Sequence, residues 1–479
     1  MKTKKLINFE NIVLTVLLFL IVSCEGEVTT AVFSELSPAS IQNEEGVEGV
    51  LNSAYNNVQL DFGADRFYHW ASAFPAGLAW NRGGQVEAFF TPLSNFTWSS
   101  TNNLIVSFWN NQFAAIRDAN IAISSVENGD FSSDFIEDTV GQAKFIRGWS
   151  YYLLFINYGR LPIFRTPEDD PLKPRNSEEE TMAFIEQNLQ EAAEILPVNQ
   201  EEFGRATKGA ARAVLTKFYL NTKQWQKTAD MAQQIIDMGK YELIESYSEL
   251  HAIENEGNRE MIWVLAQSSP NAPQDINALT FPTDFPFPNP NNAAWAAKTW
   301  LFDDFVNSFE ENDERRDVMV FGYESTDTGE FMEGLGNDKT LPLKYSWDPN
   351  ADGQGAGNDI IGIRYADILL SRAEALNELN GPTQEAIDLI NQVRERAELS
   401  PLELNEFSQE TLRDQILTER EHEFFWEGQK VIHDQKRHGV FIDRAQARGK
   451  VNAQPFHRLF PIPSEDIDAN PNLEQNPGF

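Results

Sequence analysis

Apolar residues recur at helical steps in segment after segment of this 479-residue chain, and that periodicity restricts it to a mainly α-helical fold. Ile185, Leu189, Ala192 and Leu196 are spaced by four, three and four positions. Ala211, Leu215, Phe218 and Thr222 repeat the pattern, as do Ala386, Ile390, Val393 and Ala397. Such spacing gathers each set on one helix face. The punctuation agrees: Ser177 with Glu180 has capping-box form, Pro197 follows one helix, and Gly381-Pro382 separates two others. Strand-like alternation is scarce and short, Met261 to Leu265 being one candidate.

Two places read as antiparallel helix pairs with tight turns. The first runs from Gly209 through Asn221-Thr222-Lys223 to Asp237, the second from Arg364 through Asn380-Gly381-Pro382 to Ala397. Pairs of this length resemble tetratricopeptide repeats, whose period is ~34 residues. Tyr219 and Trp225 stand where that repeat places aromatics, while Thr228 replaces its usual alanine. Between the helical halves the texture changes. Residues Ser268 to Asn292 are rich in Pro, Asn and Phe, and Ser346 to Asn358 in Gly, Asp and Asn; Ala71 to Thr97 reads as a third non-helical stretch. Long loops in a compact protein are functional or disordered, and the large aromatics here argue against disorder.

The N-terminus carries Lys2, Lys4 and Lys5, then a run from Ile12 to Val22 that is apolar except for Thr15. This is the form of a secretory signal, too short to span a bilayer, which takes ~20 residues. Ile21-Val22-Ser23-Cys24 resembles a bacterial lipobox, with Cys24 as the acylated first residue of the mature chain. The alternative is an ordinary signal with a chance cysteine. Two or more acyl chains would anchor stably. Glu25 and Glu27 follow, as in a surface-export signal of Bacteroidetes lipoproteins. Cys24 is the only cysteine, so no disulfide staples the fold. The net charge of −35 disfavours nucleic acid and anionic lipid as partners.

Longer motifs carry a family resemblance. The ending Leu459-Phe460-Pro461-Ile462-Pro463, with Glu465, Asp468, Asn470-Pro471-Asn472-Leu473 and Gln475-Asn476-Pro477-Gly478, resembles that of the SusD/RagB family of surface glycan-binding lipoproteins. Arg364-Tyr365-Ala366-Asp367, Ala373-Glu374-Ala375 and Val393-Arg394 match its central helix pair. Glu419-Arg420, Glu423, Glu427-Gly428, Asp434 and Arg437 match the next helix, and Gln142 to Arg147 an earlier one. The resemblance implies an all-α scaffold of tetratricopeptide-like pairs with a loop-rich, irregular ligand-binding side. It implies one domain over 24–479 after a signal at 1–23, with scaffold at about 40–240 and 360–440, insertion at about 241–359 and a tail at 441–479. It further implies binding without turnover, anchoring in the outer membrane at the cell surface, and a SusC-like TonB-dependent transporter as partner. A peptide-binding lid of the same architecture is the alternative. Arg364, Glu419, Arg420 and Arg437 are expected to pair within the scaffold.

Catalytic patterns are largely missing. His422-Glu423 begins a metalloprotease motif, but Trp426 stands where the second histidine belongs. No serine sits in a Gly-x-Ser-x-Gly elbow, and there is no Walker sequence. With 73 acidic residues, carboxylate pairs at glycosidase spacing arise by chance. Asp348, Asn350, Asp352 and Asp359 copy the oxygen spacing of a calcium loop, with Gly353 at the turn. They would hold a structural calcium or form a plain solvated turn.

Sugars present C–H faces that stack on flat rings and hydroxyls that need polar partners. Three loops offer both: Trp80-Asn81-Arg82 with Gln85, preceded by Tyr68 and Trp70; the Phe-Pro run with Trp295 and Trp300; and Trp347 with Asp348 and Asn350. Trp80, Asn81, Arg82, Trp295 and Trp347 are the candidate ligand contacts, and loss of Trp80 should cost binding rather than stability. Trp300, followed by Leu301, Phe302, Phe305 and Phe309 at helical spacing, reads as core, as do Trp98, Trp109, Trp149, Tyr151 and Tyr152. Lys and Arg are scattered through the helices, so no basic platform is evident and the ligand is expected to be a neutral glycan.

Overall fold

The computed structural model describes residues 41–59 and 64–479. The signal sequence and the lipobox cysteine, Cys24, lie outside the described residues. The N-terminal scaffold is a succession of helices: α1 (Glu44–Gln59), α2 (Ala64–Ala76), α3 (Glu87–Asn95), α4 (Asn103–Asn128), α5 (Ser133–Tyr158), α6 (Glu178–Ile195), α7 (Lys208–Asn221) and α8 (Trp225–Ile236). A short strand, β1 (Ala79–Arg82), separates α2 from α3.

The helix boundaries follow from local chemistry. Ser177 accepts from the Glu180 N–H at 3.1 Å while the Glu180 carboxylate accepts from the Ser177 N–H at 3.0 Å, closing the expected capping box on α6. Neighbouring α5 and α6 pack closely at Gly148, where even a methyl group would stand 2.7 Å from Leu189 Cγ. The turn between α7 and α8 places Lys223 at a φ of 58°. Both sequence-predicted helix pairs are present, the second over Tyr365–Asn380 and Gln384–Arg396.

The chain then leaves the scaffold through β2 (Met261–Leu265) and a short helix, α9 (Ile276–Thr280). It continues through β3 (Lys298–Leu301), α10 (Asp303–Val306), β4 (Met319–Val320), β5 (Gly322–Glu324), β6 (Phe331–Glu333) and β7 (Leu341–Pro342), and returns by β8 (Ile360–Arg364). All four sheets are antiparallel and two-stranded: β1 with β3, β2 with β8, β4 with β7, and β5 with β6. The C-terminal scaffold comprises α11 (Tyr365–Asn380), α12 (Gln384–Arg396), α13 (Gln409–Phe424), α14 (Lys430–His438), α15 (Phe441–Ala447) and α16 (Ser464–Ala469). Leu369, Leu370, Ile387, Ile390, Leu412 and Ile416 close the core between α11, α12 and α13.

Two expectations need correction. The stretch Ala71 to Thr97 is mostly helical, lying in α2, β1 and α3. Pro75 withholds one donor in the last turn of α2, and Pro92 lies inside α3, whose end is set by Phe96 at a φ of 56°. Tyr68 and Trp70 are accordingly core residues of α2, at 3% and 0% exposure. Trp300 is buried as expected but lies in β3 rather than in a helix; only α10 forms in that apolar run.

Charged family-motif residues form a buried lattice beneath the insertion. Arg364 bonds Glu427 at 2.8 Å and Glu260 at 2.7 Å, and also pairs with Glu423. Arg396 pairs with Glu260 and Glu423, and Arg315 with Asp313, Glu419 and Glu423. Arg420 bridges Asp367 and Asp434, and Arg437 bridges Glu374 and Asp434. All four motif residues expected to serve the scaffold do so.

Candidate ligand-binding platform

The antiparallel pairing of β1 with β3 sets Trp80 opposite Trp300, with ring centroids 4.7 Å apart and planes at 41°. Trp300 is buried, whereas Trp80 is half-exposed. The Trp80 indole N–H donates to the Asp338 carbonyl at 2.7 Å. Asp338 is itself clamped: its carboxylate accepts from the Asp303 N–H at 2.8 Å and its N–H donates to the Asp303 carboxylate at 3.1 Å. One edge of the indole is therefore fixed while part of its surface faces solvent.

A second edge of the same cluster is built by the Phe-Pro run. Its turns bury Phe281 and Phe285, and Trp347 lies against them at 4.6 Å and 5.6 Å. Trp347 also meets Phe287 edge-on at 5.3 Å. From β5, Tyr323 reaches Phe285 at 5.2 Å. Phe281, Phe285, Trp300 and Leu341 thus form a buried floor on which Trp80, Phe287, Tyr323 and Trp347 stand partly exposed. Four segments that are remote in sequence supply one aromatic ridge.

Polar groups flank it. Asp284 accepts from the Tyr323 hydroxyl at 3.1 Å and from Ser325 at 2.7 Å. Burial would raise the Asp284 pKa, but these two bonds hold it below its usual value. Burial and Asp284 together push the Tyr323 phenol up. Arg82 is exposed and stands opposite Lys298 across the strand pair. Asn81 is half-buried, and its side-chain N–H₂ has no hydrogen-bond partner. An arrangement of flat rings bordered by an amide, a carboxylate and a guanidinium can stack a planar or ring-shaped ligand and bond its hydroxyls.

The structure sorts the five candidates. Trp80 and Trp347 share the ridge, and Asn81 and Arg82 continue the strand that carries Trp80. Trp295 is 40% exposed and stands off the ridge, its N–H bonded to the Ala278 carbonyl at 2.7 Å. Sequence reasoning missed Phe287, Tyr323 and the Asp303–Asp338 clamp. Tyr323 sits in a strand of three residues, too short for any periodicity to mark.

In the calcium-spaced loop one carboxylate is held by the loop's own backbone. Asp348 is buried, and its two carboxylate oxygens accept from the N–H groups of Asn350 and Gly357, each at 2.7 Å. Asn350 and Asp352 are exposed, and Asp359 accepts from the Gln267 N–H at 2.9 Å. Burial, with a contribution from Glu256, pushes the Asp359 carboxyl up to about 7. Among the described residues no three Asp, Glu, His or Cys side chains are placed to hold a metal. His422, the start of the metalloprotease-like motif, is buried against Phe309 at 3.9 Å and meets Ser308 at 2.8 Å.

Two large cavities lie away from the ridge. One, of 960 Å³, is rimmed by glutamates including Glu242, Glu245, Glu314 and Glu398. The other, of 810 Å³, lies between α5, α14 and the C-terminal tail and is lined by Arg160, Arg175, Lys223, Lys436, Arg437 and Arg458. This corrects the expectation that the basic residues stay scattered: positions far apart in sequence converge on one cleft.

Comparison with known proteins is consistent across sequence and structure. The family model described as "SusD family" matches residues 291–479, and one described as "Starch-binding associating with outer membrane" matches residues 46–220. SusD-like protein P25 of Formosa agariphila is 27% identical over 530 aligned positions, covering 97% of this chain and 98% of the relative. The starch-binding protein SusD of Bacteroides thetaiotaomicron is 22% identical, covering 71% of this chain and 72% of its own. A structure described as a laminarin-binding SusD-like protein superposes with a TM-score of 0.77 at 21% identity, over 91% of this chain and 100% of that one. The surface glycan-binding protein A of Bacteroides fluxus gives 0.76 at 22% identity, over the same shares.

Proposed function

Since the chain belongs to the SusD/RagB family, we propose that it is a surface lipoprotein of the outer membrane that binds oligo- or polysaccharide on its aromatic ridge. The observation that carries this reading is the placement of half-exposed Trp80 and Trp347 on one buried aromatic floor. Rigid rings on a packed base lose little freedom when a sugar stacks on them, which favours affinity. The descriptions of two similar proteins as starch-binding and laminarin-binding support a glycan as the ligand. The bound glycan would pass to a SusC-like TonB-dependent transporter, with Cys24 lipidated to hold the lid at the membrane. The role is capture without turnover.

The test is affinity electrophoresis of the soluble chain, started after Cys24, in gels carrying starch, laminarin and other neutral polysaccharides. Retardation by at least one glycan, lost in Trp80→Ala and Trp347→Ala, is the expected result. Retardation by none of them, together with capture of a peptide digest, would replace the glycan by a peptide. Release of shorter sugars on prolonged incubation would contradict a purely binding role. Co-purification of the transporter with a tagged wild-type chain, and its loss in Cys24→Ala, tests the anchored assembly.

A further inference from the structure

The 810 Å³ cleft is electrostatically out of character for this molecule. The chain has 73 acidic and 38 basic residues, so a cation here has carboxylates to spare. Most buried cations do find them: Arg437 at the cleft edge is paired with Glu374 and Asp434. Arg160 pairs with the exposed Glu474. Arg175, Lys223, Lys436 and Arg458 line the same cleft, whose other carboxylate is Glu178, and make no ion pair among the described residues. Arg175 spends its donors on neutral acceptors, the carbonyls of Arg160, Tyr158 and Glu474 and the Asn476 amide oxygen. Arg458 donates only to the Lys436 carbonyl, at 2.9 Å.

Lys436 is the centre of the anomaly. It is 7% exposed, and its ammonium has no hydrogen-bond partner. The rings of Phe460 and Phe441, at 5.2 Å and 5.7 Å, give it only a partial counterweight. Burial, then the neighbouring Arg458, pull its pKa down to about 7. One helical turn earlier on α14, His433 also lines the cleft, and its Nε2 is buried without a partner. Buried polar groups in native proteins are normally satisfied, by protein, water or ligand. A charge left unpaired is the costliest case.

We infer that this cleft binds a small solute bearing an oxyanion (carboxylate, sulfate or phosphate) held by Arg175, Lys223 and Arg458, with the buried, unpaired ammonium of Lys436 behind them as the charge it offsets. The apolar part of the lining, Phe155 and Met182 among it, would cover the body of the solute. The inference is independent of the aromatic ridge and stands or falls apart from glycan binding there.

Calorimetric titration of the soluble chain with sulfate, phosphate and glucuronate, at fixed ionic strength, tests it, with glucose and chloride as controls. Saturable one-to-one binding of at least one oxyanion, weakened tenfold or more in Lys436→Met, is expected. Arg458→Gln, at an exposed position, should weaken it severalfold and covers the case in which the core variant fails to fold. Binding of glucuronate alone points to an acidic sugar as the source of the anion; binding of all three points to free oxyanions. Saturation by none, equal binding by glucose, or unchanged affinity in both variants would overturn the inference.

Discussion

Trp80 is gripped at its indole N–H by the Asp338 carbonyl and on one face by Trp300, so it is neither a free surface ring nor a core ring. Trp80→Ala is therefore expected to weaken glycan binding at least tenfold while costing less than the ~3–5 kcal/mol of a fully buried tryptophan. For a body of this size that means a drop in melting temperature of a few degrees, measurable by calorimetry. This is more than the sequence implies, because the partner ring lies 220 residues downstream and no local pattern announces it. Trp347 likewise owes its place to rings remote in sequence, Phe281 and Phe285. Asp359 gives a prediction in pH. Its carboxyl is raised by burial to about 7, whereas an unfolded aspartate titrates near ~3.9. The folded chain thus holds a proton that the unfolded chain has lost, and stability falls as pH rises from about 4 through 7. Asp359→Asn should melt higher than wild type at pH 8, with the difference closing toward pH 4.

The helices were legible because each is specified locally, by apolar spacing, a cap such as Ser177 or a turn such as Gly381. How closely two helices approach is not local, and α5 with α6 shows the consequence. Alanine normally improves a helix over glycine by ~1 kcal/mol. At Gly148 the added methyl would meet Leu189 Cγ at 2.7 Å in a fully buried contact, and overpacking of that kind costs ~1–3 kcal/mol. Gly148→Ala should therefore lower the urea midpoint, against the propensity expectation. The misread stretch around α2 and α3 has the converse origin. Pro75 and Pro92 stand inside these helices, and the aromatic packing of Phe67, Trp70 and Phe90 overrides them. Between the elements, the β1–β3 register makes the site, because a slip of one residue would turn Trp80 away from Trp300.

Across the whole molecule the buried ion lattice joins the loop-rich excursion, through Glu260, Arg315 and Lys344, to the C-terminal helices, through Glu419, Glu423 and Glu427. Burial by itself would raise the Glu423 carboxyl, but Arg396, Arg364 and Arg315 hold it at about 2. Arg364→Met removes the cation shared by three glutamates and leaves their charge buried. A loss of ~3–5 kcal/mol is expected, seen as a lower denaturation midpoint. The motif residues made the lattice legible as scaffold, but the cationic cleft was not, since its residues run from position 160 to 458 and share no segment. The excursion departs at β2 and returns at β8, and these two strands are hydrogen-bonded to each other. Its two ends are thus stitched side by side, and the intervening chain hangs from a closed seam. Doubling a flexible loop costs only ~0.6 kcal/mol in closure entropy. The seam therefore acts as a socket: the chain between β2 and β8 can lengthen or change without refolding the frame that carries it.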